Sequence, residues 1–153
     1  NIHVGGAYGD KIAAMARFCK NFKRLSPGAQ ARLTIENDDR ASMYSVVDLY
    51  HGIHKVVGIP IVFDYHHHQF CTGDLSEKAA LHLASTTWPD GIKQCVHYSE
   101  SKALHENNPK IKPQAHSDYI HDKINSWDLP LDIMVESKAK ELSIQDYMTN
   151  LEN

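Results

Sequence analysis

Residues 59–68 read IPIVFDYHHH, an apolar run that is followed by Asp64, Tyr65 and three consecutive histidines. An apolar run of this length is typical of a β-strand that is buried on both faces, as strands of parallel sheets are. Side chains of the types that bind metal ions come directly after the run. The same order, a buried strand and then a carboxylate or an imidazole, recurs along the chain and predicts its fold.

Further apolar runs indicate strands at residues 2–4, 33–35, 95–96 and 131–135. Helical periodicity lies between the strands, at residues 10–25, 45–57, 76–83 and 137–151. The helix at 45–57 begins with a capping-box pattern at Ser45 and Asp48. Strands that alternate with helices predict an α/β fold with a parallel sheet and right-handed crossovers. Five βα units without a phosphate-binding GxGxxG motif fit an arc of a (β/α)₈ barrel as well as an open doubly wound sheet.

The length of the chain, 153 residues, is typical of a single domain over residues 1–153. A complete (β/α)₈ barrel takes about 250 residues, so an arc of this length would hold about five of its eight units. The chain begins with Asn1, not with methionine, and residues 2–4 already read as a strand. We therefore expect this chain to be the C-terminal portion of a domain whose first strands lie upstream.

The composition excludes several classes of protein. A hydrophobic content of 42% and a charged content of 23% are ordinary globular values, which exclude disordered and fibrous proteins. The longest apolar run, residues 56–63, is far shorter than a membrane-spanning helix. Three scattered cysteines form no disulfide framework and indicate an intracellular protein, in the cytoplasm of a bacterium or in the nucleus or mitochondria of a eukaryote. The net charge of -3 gives no indication of nucleic-acid binding by itself.

Each predicted strand carries a carboxylate or an imidazole near its C-terminal end, namely His3, Glu36, Asp64, His97 and Glu136. This edge of a parallel sheet is where ligands bind, and buried acidic groups are costly unless they are paired or coordinated. Mixed carboxylate and imidazole ligands without paired thiolates indicate manganese, zinc or iron. With His67 and His116 added, the set exceeds the needs of one ion. We therefore predict a multinuclear site, of the kind that clamps both oxygens in phosphodiester cleavage.

Each of these residues taken alone is more commonly a hydrogen-bonded loop residue or a helix cap, so the prediction depends on their joint placement. At most two of the imidazoles at residues 66–68 can face one site. The histidines at 51, 54 and 82 lie in helical patterns and are expected at the surface. His105 and His121 have no strand-end position and are not predicted as ligands; residues 100–113 are expected to form an exposed insertion loop. Lys138 and Lys140 are weakly indicated phosphate contacts.

Six segments resemble the motifs of the UV damage endonuclease family, in the same order and over nearly the whole chain. They are residues 2–11, 33–39, 62–68, 96–99, 115–118 and 134–141. The Glu-Asn-Asp-Asp run at 36–39 and the triple histidine at 66–68 are the most specific of them. The resemblance implies a TIM-type barrel, present here as a partial barrel of about five βα units. It also implies a groove with up to three divalent ions, manganese favoured and magnesium or zinc possible.

The family reaction is hydrolysis of the phosphodiester 5′ to a cyclobutane dimer or a 6-4 photoproduct. The implied partner is UV-damaged double-stranded DNA, with the lesion flipped out of the stack, and the complete protein is expected to be a monomer without a membrane anchor. Matching motif to motif, the resemblance implies that the metal ligands are His3, Glu36, Asp64, His67, His97, His116 and Glu136. Glu36, His97 and Glu136 would be the catalytic residues among them.

One position departs from the family pattern, because Cys95 stands where the resemblance expects a lysine that can be carbamylated and bridge metals. Lys93 would point to the same face of the strand one pleat earlier. A thiolate cannot reproduce a lysine carbamate, so a non-catalytic, damage-binding paralogue is one alternative. A sugar isomerase or epimerase of the same barrel type is another, because similar metal sites occur there. The 153-residue chain alone is expected to be inactive and unstable, because a partial barrel leaves an unpaired sheet edge.

Overall fold

The computed structural model describes residues 1–151. Its centre is a parallel sheet of four strands in the order β1-β2-β3-β4. The strands are β1 (Ile35–Glu36), β2 (Ile61–Asp64), β3 (Gln94–Tyr98) and β4 (Leu131–Val135). Every strand lies beside the strand that precedes it in the chain, and helices fill the crossovers. This is the arrangement of successive βα units in an arc of a TIM-type barrel, as the sequence predicts.

Most of the helices that flank the strands begin at side chains that cap them. They are α1 (Lys11–Phe22), α2 (Pro27–Gln30), α3 (Val46–Leu49), α4 (Lys55–Val57), α5 (Tyr65–His68), α6 (Glu77–Ser85), α7 (Lys102–Glu106) and α8 (Glu141–Leu151). Asp10 caps α1, Ser76 caps α6, and Ser45 forms the predicted capping box with Asp48 at α3. A π-helical turn at Tyr50–His54 joins α3 to α4, so that the predicted helix at 45–57 is one continuous helical segment. No helix within residues 1–151 has the length and apolar character needed to cross a bilayer.

The prediction of a strand at residues 2–4 is wrong. Ile2 makes only a single parallel bridge to Ile35, in which the Ile2 amide donates to the Thr34 carbonyl at 3.0 Å and the Glu36 amide donates to the Ile2 carbonyl at 3.2 Å. Gly5 has a φ of 94°, outside the extended region, so the backbone leaves the sheet just after this point. The sheet therefore has four strands and one added bridge, in place of five strands.

The hydrophobic core lies between the sheet and the helices that cover one side of it. Ile61, Phe63 and Val96 of the strands pack in one cluster with Ile53 and Leu81 of the helical segments, and all five are fully buried. Burial decreases toward β4, where Ile133 is 39% and Met134 is 54% exposed. The run at 131–135 is therefore a strand with the predicted bounds, but it is not buried on both faces.

Two further predictions need correction at the C-terminal side. The segment 100–113 is not entirely an exposed loop, because Glu100 and Ser101 are buried and α7 follows them. The last helix begins at Glu141, not at Ser137. Lys140 has a φ of 53°, in the left-handed region, so helical backbone cannot run from Ser137 into α8; the amides of Lys138 and Ala139 donate instead to the carbonyls of Ser117 and Asp118, each at 3.0 Å.

Replacing a core side chain tests this packing. Leu81→Ala should lower the free energy of unfolding by about 2–5 kcal/mol, because Leu81 is fully buried and the substitution leaves a cavity. Leu104→Ala is the matched control, because that leucine is also helical but is 73% exposed. Urea unfolding of the complete protein measures both. Equal effects of the two substitutions would contradict the described core.

Candidate metal centre

The parallel register brings polar side chains from separate strands to one edge of the sheet. Asp64, the last residue of β2, lies directly opposite His97 of β3. Glu36 is the last residue of β1, and Glu136 immediately follows β4, where its amide donates to the Tyr98 carbonyl at 2.9 Å. Four strand ends thus present their carboxylates and imidazoles on the same side.

Glu36 is the centre of this cluster. Its Oε1 lies 2.9 Å from His3 Nε2 and 3.5 Å from His67 Nδ1, and its Oε2 lies 3.0 Å from His97 Nδ1. The same His97 nitrogen lies 3.2 Å from Glu136 Oε1. The Asn1 side-chain amide also donates to Glu36 Oε2. The side chains line a cavity of about 670 Å³ at the C-terminal ends of the strands.

The ligand-type atoms fall into two groups that share Glu36. One group is His3, Glu36 and His67, and the other is Glu36, Asp64 and His97; within each group the atoms lie within 4.8 Å of one another. Glu36, Asp64 and His97 are buried. Among the described residues, Asp64 Oδ2 is buried and accepts no hydrogen bond. A buried carboxylate oxygen without a donor fits a position that faces a cation, so this donor set fits divalent ions.

The electrostatics of the cluster favour positive charge at its centre. Hydrogen bonds to Asp38 and Glu36 raise the pKa of His3 to about 10. Burial alone would raise the pKa of Glu36, but hydrogen bonds from His3 and His97 outweigh burial and hold that pKa well below its ordinary value. Burial raises the pKa of Asp64, and the nearby His67 only partly opposes this effect. Protons on the imidazole rings therefore balance the negative charge of the carboxylates, as a metal ion at the same position would.

Two of the predicted ligands have one ring nitrogen occupied by a backbone carbonyl. His116 Nδ1 lies 2.7 Å from the Glu136 carbonyl, and His67 Nδ1 lies 2.9 Å from the Asn37 carbonyl. A donor contact at Nδ1 fixes the ring and leaves Nε2 as the lone-pair nitrogen, which is the usual arrangement of metal-binding histidines. His116 lies beside Glu136 but belongs to neither three-residue group. The structure therefore places six of the seven predicted ligands at one edge and His116 at its margin.

Several other residues considered in the sequence do not belong to the groups of ligand-type atoms. Of the histidines at 66–68, only His67 belongs to a group; His66 and His68 are buried among other side chains, and the His66 ring lies 5.3 Å from the His116 ring. Lys138 and Lys140 are exposed just past Glu136. Of the histidines expected at the surface, His51 is exposed, whereas those at 54 and 82 are half-buried.

Cys95 lines the same cavity as the cluster but is not among the grouped atoms. Burial raises the pKa of its thiol, so the group is neutral at neutral pH. Lys93 does not take its place, because its ammonium pairs with Asp132 Oδ1 at 2.7 Å on the surface. Lys93 therefore does not supply the lysine that the family resemblance expects at the position of Cys95.

Sequence reasoning missed two residues of the site. The fully buried Asn37 accepts from the Asp64 amide at 2.9 Å and donates to the Asp64 carbonyl at 3.0 Å, so that it ties the end of β1 to the end of β2. Asp38 is buried and lies 2.9 Å from His3 Nδ1. Both belong to the run at 36–39, and their position directly after a buried strand is the signal that could have identified them.

The fold and the site together define a TIM-type barrel protein with a carboxylate and imidazole cluster at its strand ends. The sequence matches the UV-endonuclease UvdE family over residues 1–153, and the chain belongs to that family.

Two curated relatives and one solved structure show the extent of the similarity. The UV DNA damage endonuclease of Bacillus velezensis is 35% identical over 94% of this chain and 45% of its own length. The UV-damage endonuclease of Schizosaccharomyces pombe is 40% identical over 94% of this chain and 24% of its own length. The crystal structure of SacUVDE superposes with a TM-score of 0.81 at 32% identity, over 98% of this chain and 50% of that one. The chain therefore spans half or less of the length of these relatives.

The amide of Asn37 can be tested directly. Asn37→Ala should lower the free energy of unfolding by about 1–3 kcal/mol, because it leaves the buried amide and carbonyl of Asp64 without partners. Asn21→Ala is the control, because Asn21 is exposed on α1. Urea unfolding of the complete protein measures both, and an Asn37→Ala variant as stable as the control would contradict the assigned role.

Proposed function

We propose that the complete protein is a metal-dependent DNA repair endonuclease that hydrolyses the phosphodiester 5′ to UV photoproducts, both cyclobutane dimers and 6-4 photoproducts. Membership in the UV-endonuclease family supports the reaction class. The observation that carries the proposal is the buried Glu36 carboxylate, which is shared by two groups of ligand-type atoms at the strand ends. The two groups would hold divalent ions between them, and such ions would supply the charge stabilisation of two-metal phosphodiester cleavage.

The residues of the chain would divide the work as follows. His3 and His67 hold one side of Glu36, and Asp64 and His97 hold the other. Glu136 lies at the mouth with a side chain that is 34% exposed, so it can face both the cluster and a phosphate. When bound, divalent ions would supply positive charge against the phosphate oxygens and activate the attacking water. Manganese suits this oxygen and nitrogen donor set and is favoured over magnesium and zinc by the family resemblance.

His97 is the third residue to which we assign a catalytic role. It lies within 3.2 Å of Glu136 and 3.0 Å of Glu36, so it connects the buried carboxylate with the exposed one. Burial would lower the pKa of His97, but the hydrogen bond and the charge of Glu36 raise it above its ordinary value. His97 can therefore either bind a cation as a neutral ring or hold a proton between two carboxylates. His116 would complete the ligand set from the margin of the cluster.

Double-stranded DNA that carries a UV lesion would be the substrate inside the cell. The net charge of -3 gives no general attraction to DNA, so phosphate contacts must be local. Lys138 and Lys140 are exposed beside Glu136 and are suited to such contacts. Because this chain covers 45% of the length of its B. velezensis relative, the rest of the barrel would supply the opposing wall of the groove. We propose a monomeric complete protein and no incision by residues 1–153 alone.

The role of Glu36 predicts a loss of both metal binding and activity. In the complete protein, Glu36→Gln should reduce the incision of UV-irradiated plasmid by about 100-fold or more, because it removes the one anionic side chain that both groups of ligand-type atoms share. The same substitution should abolish the rise in melting temperature that MnCl₂ produces. Glu141→Gln, at an exposed position on α8, is the matched control.

The same assay distinguishes the rival functions. A sugar isomerase or epimerase would show no difference between irradiated and untreated plasmid, and ordinary incision by Glu36→Gln would contradict the proposed centre.

The neutral thiol of Cys95 in the cavity favours one rival, a protein that binds lesions without cutting them. Such a protein would retain irradiated DNA in the presence of MnCl₂ and leave its strands intact. Cys95→Lys should then increase incision by about 10-fold or more, because it restores the lysine expected from the family at this position. Cys95→Ala is the control for a change of size. No gain from lysine over alanine would show that this position does not limit the activity.

A further inference from the structure

We propose that Glu100, His105 and His121 form a second metal site, selective for zinc, outside the cluster at the strand ends. The ligand-type atoms of these three residues lie within 4.8 Å of one another. His105 Nε2 lies 2.7 Å from Glu100 Oε2, and the ring centroids of His105 and His121 lie 4.0 Å apart with an angle of 34° between the planes. The site shares no residue with the groups around Glu36.

The carboxylate of Glu100 is fixed before any ion binds. Glu100 is 6% exposed and lies two residues beyond β3. Its Oε1 accepts from Tyr98 Oη at 3.1 Å and from the Asp122 amide at 2.9 Å, and both of its oxygens lie 3.0 Å from the His121 amide. These donors hold the carboxylate with Oε2 toward the two imidazoles. A buried anion that is oriented in this way is a preorganised ligand.

The three ligands come from three separate segments. Glu100 follows β3, His105 lies on α7, and His121 lies in the loop that follows His116. His121 is an exposed residue and the side chain of His105 is 23% exposed, so water can reach the open side of the site. His121 Nε2 has only a 3.3 Å contact with Ser117 Oγ, and the contact between His105 and Glu100 requires a proton that a cation can replace.

The donor set points to zinc. Two imidazoles and one carboxylate, with a fourth position open to solvent, match the ligands that zinc takes in proteins at tetrahedral sites. Magnesium and calcium prefer oxygen ligands and are disfavoured by two nitrogens. Imidazole ligands suit zinc better than the hard cations, and zinc has no preference for a geometry that the three segments would have to distort to reach.

An ion at this position would hold the segment that carries His116. The Lys102 amide donates to the Ala115 carbonyl, and the Ser117 amide donates to the Glu100 carbonyl, each at 2.8 Å. Ser101 also forms an antiparallel bridge with His116. Zinc between Glu100, His105 and His121 would lock these contacts together. The site therefore has a structural role that does not depend on the proposed nuclease activity.

Zinc stoichiometry tests the proposal without any activity assay. The complete protein is stripped with a chelator, loaded with ZnCl₂ alone, desalted and analysed by atomic emission. His105→Ala and His121→Ala should each bind one zinc equivalent fewer than the parent protein. His51→Ala, at an exposed histidine outside the site, should bind as many as the parent. Equal zinc content in all four proteins would overturn the proposal.

Two further measurements separate loss of zinc from loss of structure. In the chelator, His105→Ala should melt slightly below the parent protein, because it loses the contact with Glu100; the rise that ZnCl₂ then causes should be clearly smaller for the variant than for the parent. In a Glu36→Gln background, one zinc equivalent should remain and should disappear when His105→Ala is added. Persistence of that equivalent in the double variant would overturn the second site. Failure of the nuclease assay would leave these zinc counts unchanged, so the two proposals fail separately.

Discussion

Each strand of the sheet runs parallel to its neighbour, so chain segments that are far apart in sequence end at one edge. Asp64 and His97 are direct register partners, and Glu36 and Glu136 end the flanking strands on the same side. This geometry brings the buried carboxylates of Glu36 and Asp64 close together. Their mutual repulsion and loss of hydration must be offset by cations, either protons on imidazoles or metal ions. The contacts of His3 with Glu36 and Asp38, which raise the pKa of its ring, are one response to that demand.

Much of this arrangement could be predicted because it follows from local patterns. Apolar runs that end in acidic residues locate β1 and β2 to within two residues at each end, and the run at 131–135 matches β4 completely. Joint placement at strand ends also predicted that Glu36, Asp64, His97 and Glu136 would lie together, since parallel topology alone brings strand ends together. His3 joins them although the strand predicted for it is only a single bridge. The prediction of a strand at residues 2–4 was wrong because a run of β-branched residues does not show whether the backbone stays beside the neighbouring strand. Gly5 turns it away after a single bridge.

The parts that could not be predicted depend on contacts between distant segments. Nothing in the local sequence shows that the Asn37 amide binds both backbone groups of Asp64. The site at Glu100 was missed for the same reason, because His105 and His121 follow no strand and meet only after the loop folds back on β3. The π-helical turn at Tyr50–His54 could not be predicted either. It keeps the apolar face of the helix on the core, so the spacing of apolar residues looks like that of an ordinary α-helix. Spacing rules therefore predict the positions of strand ends well, but they do not predict contacts between segments that are distant in sequence.

The membership of Glu36 in both groups of ligand-type atoms has a thermodynamic consequence. Occupation of one side would remove part of the negative charge that attracts a cation to the other side, and at the same time would freeze the shared carboxylate in place. Two cations bound on either side of Glu36 would not bind independently, and whatever factor the first imposed on the second would act equally in reverse. A titration of this protein with a single kind of cation should accordingly depart from a simple hyperbola, with the sign of the departure reporting whether repulsion or ordering dominates at this one side chain.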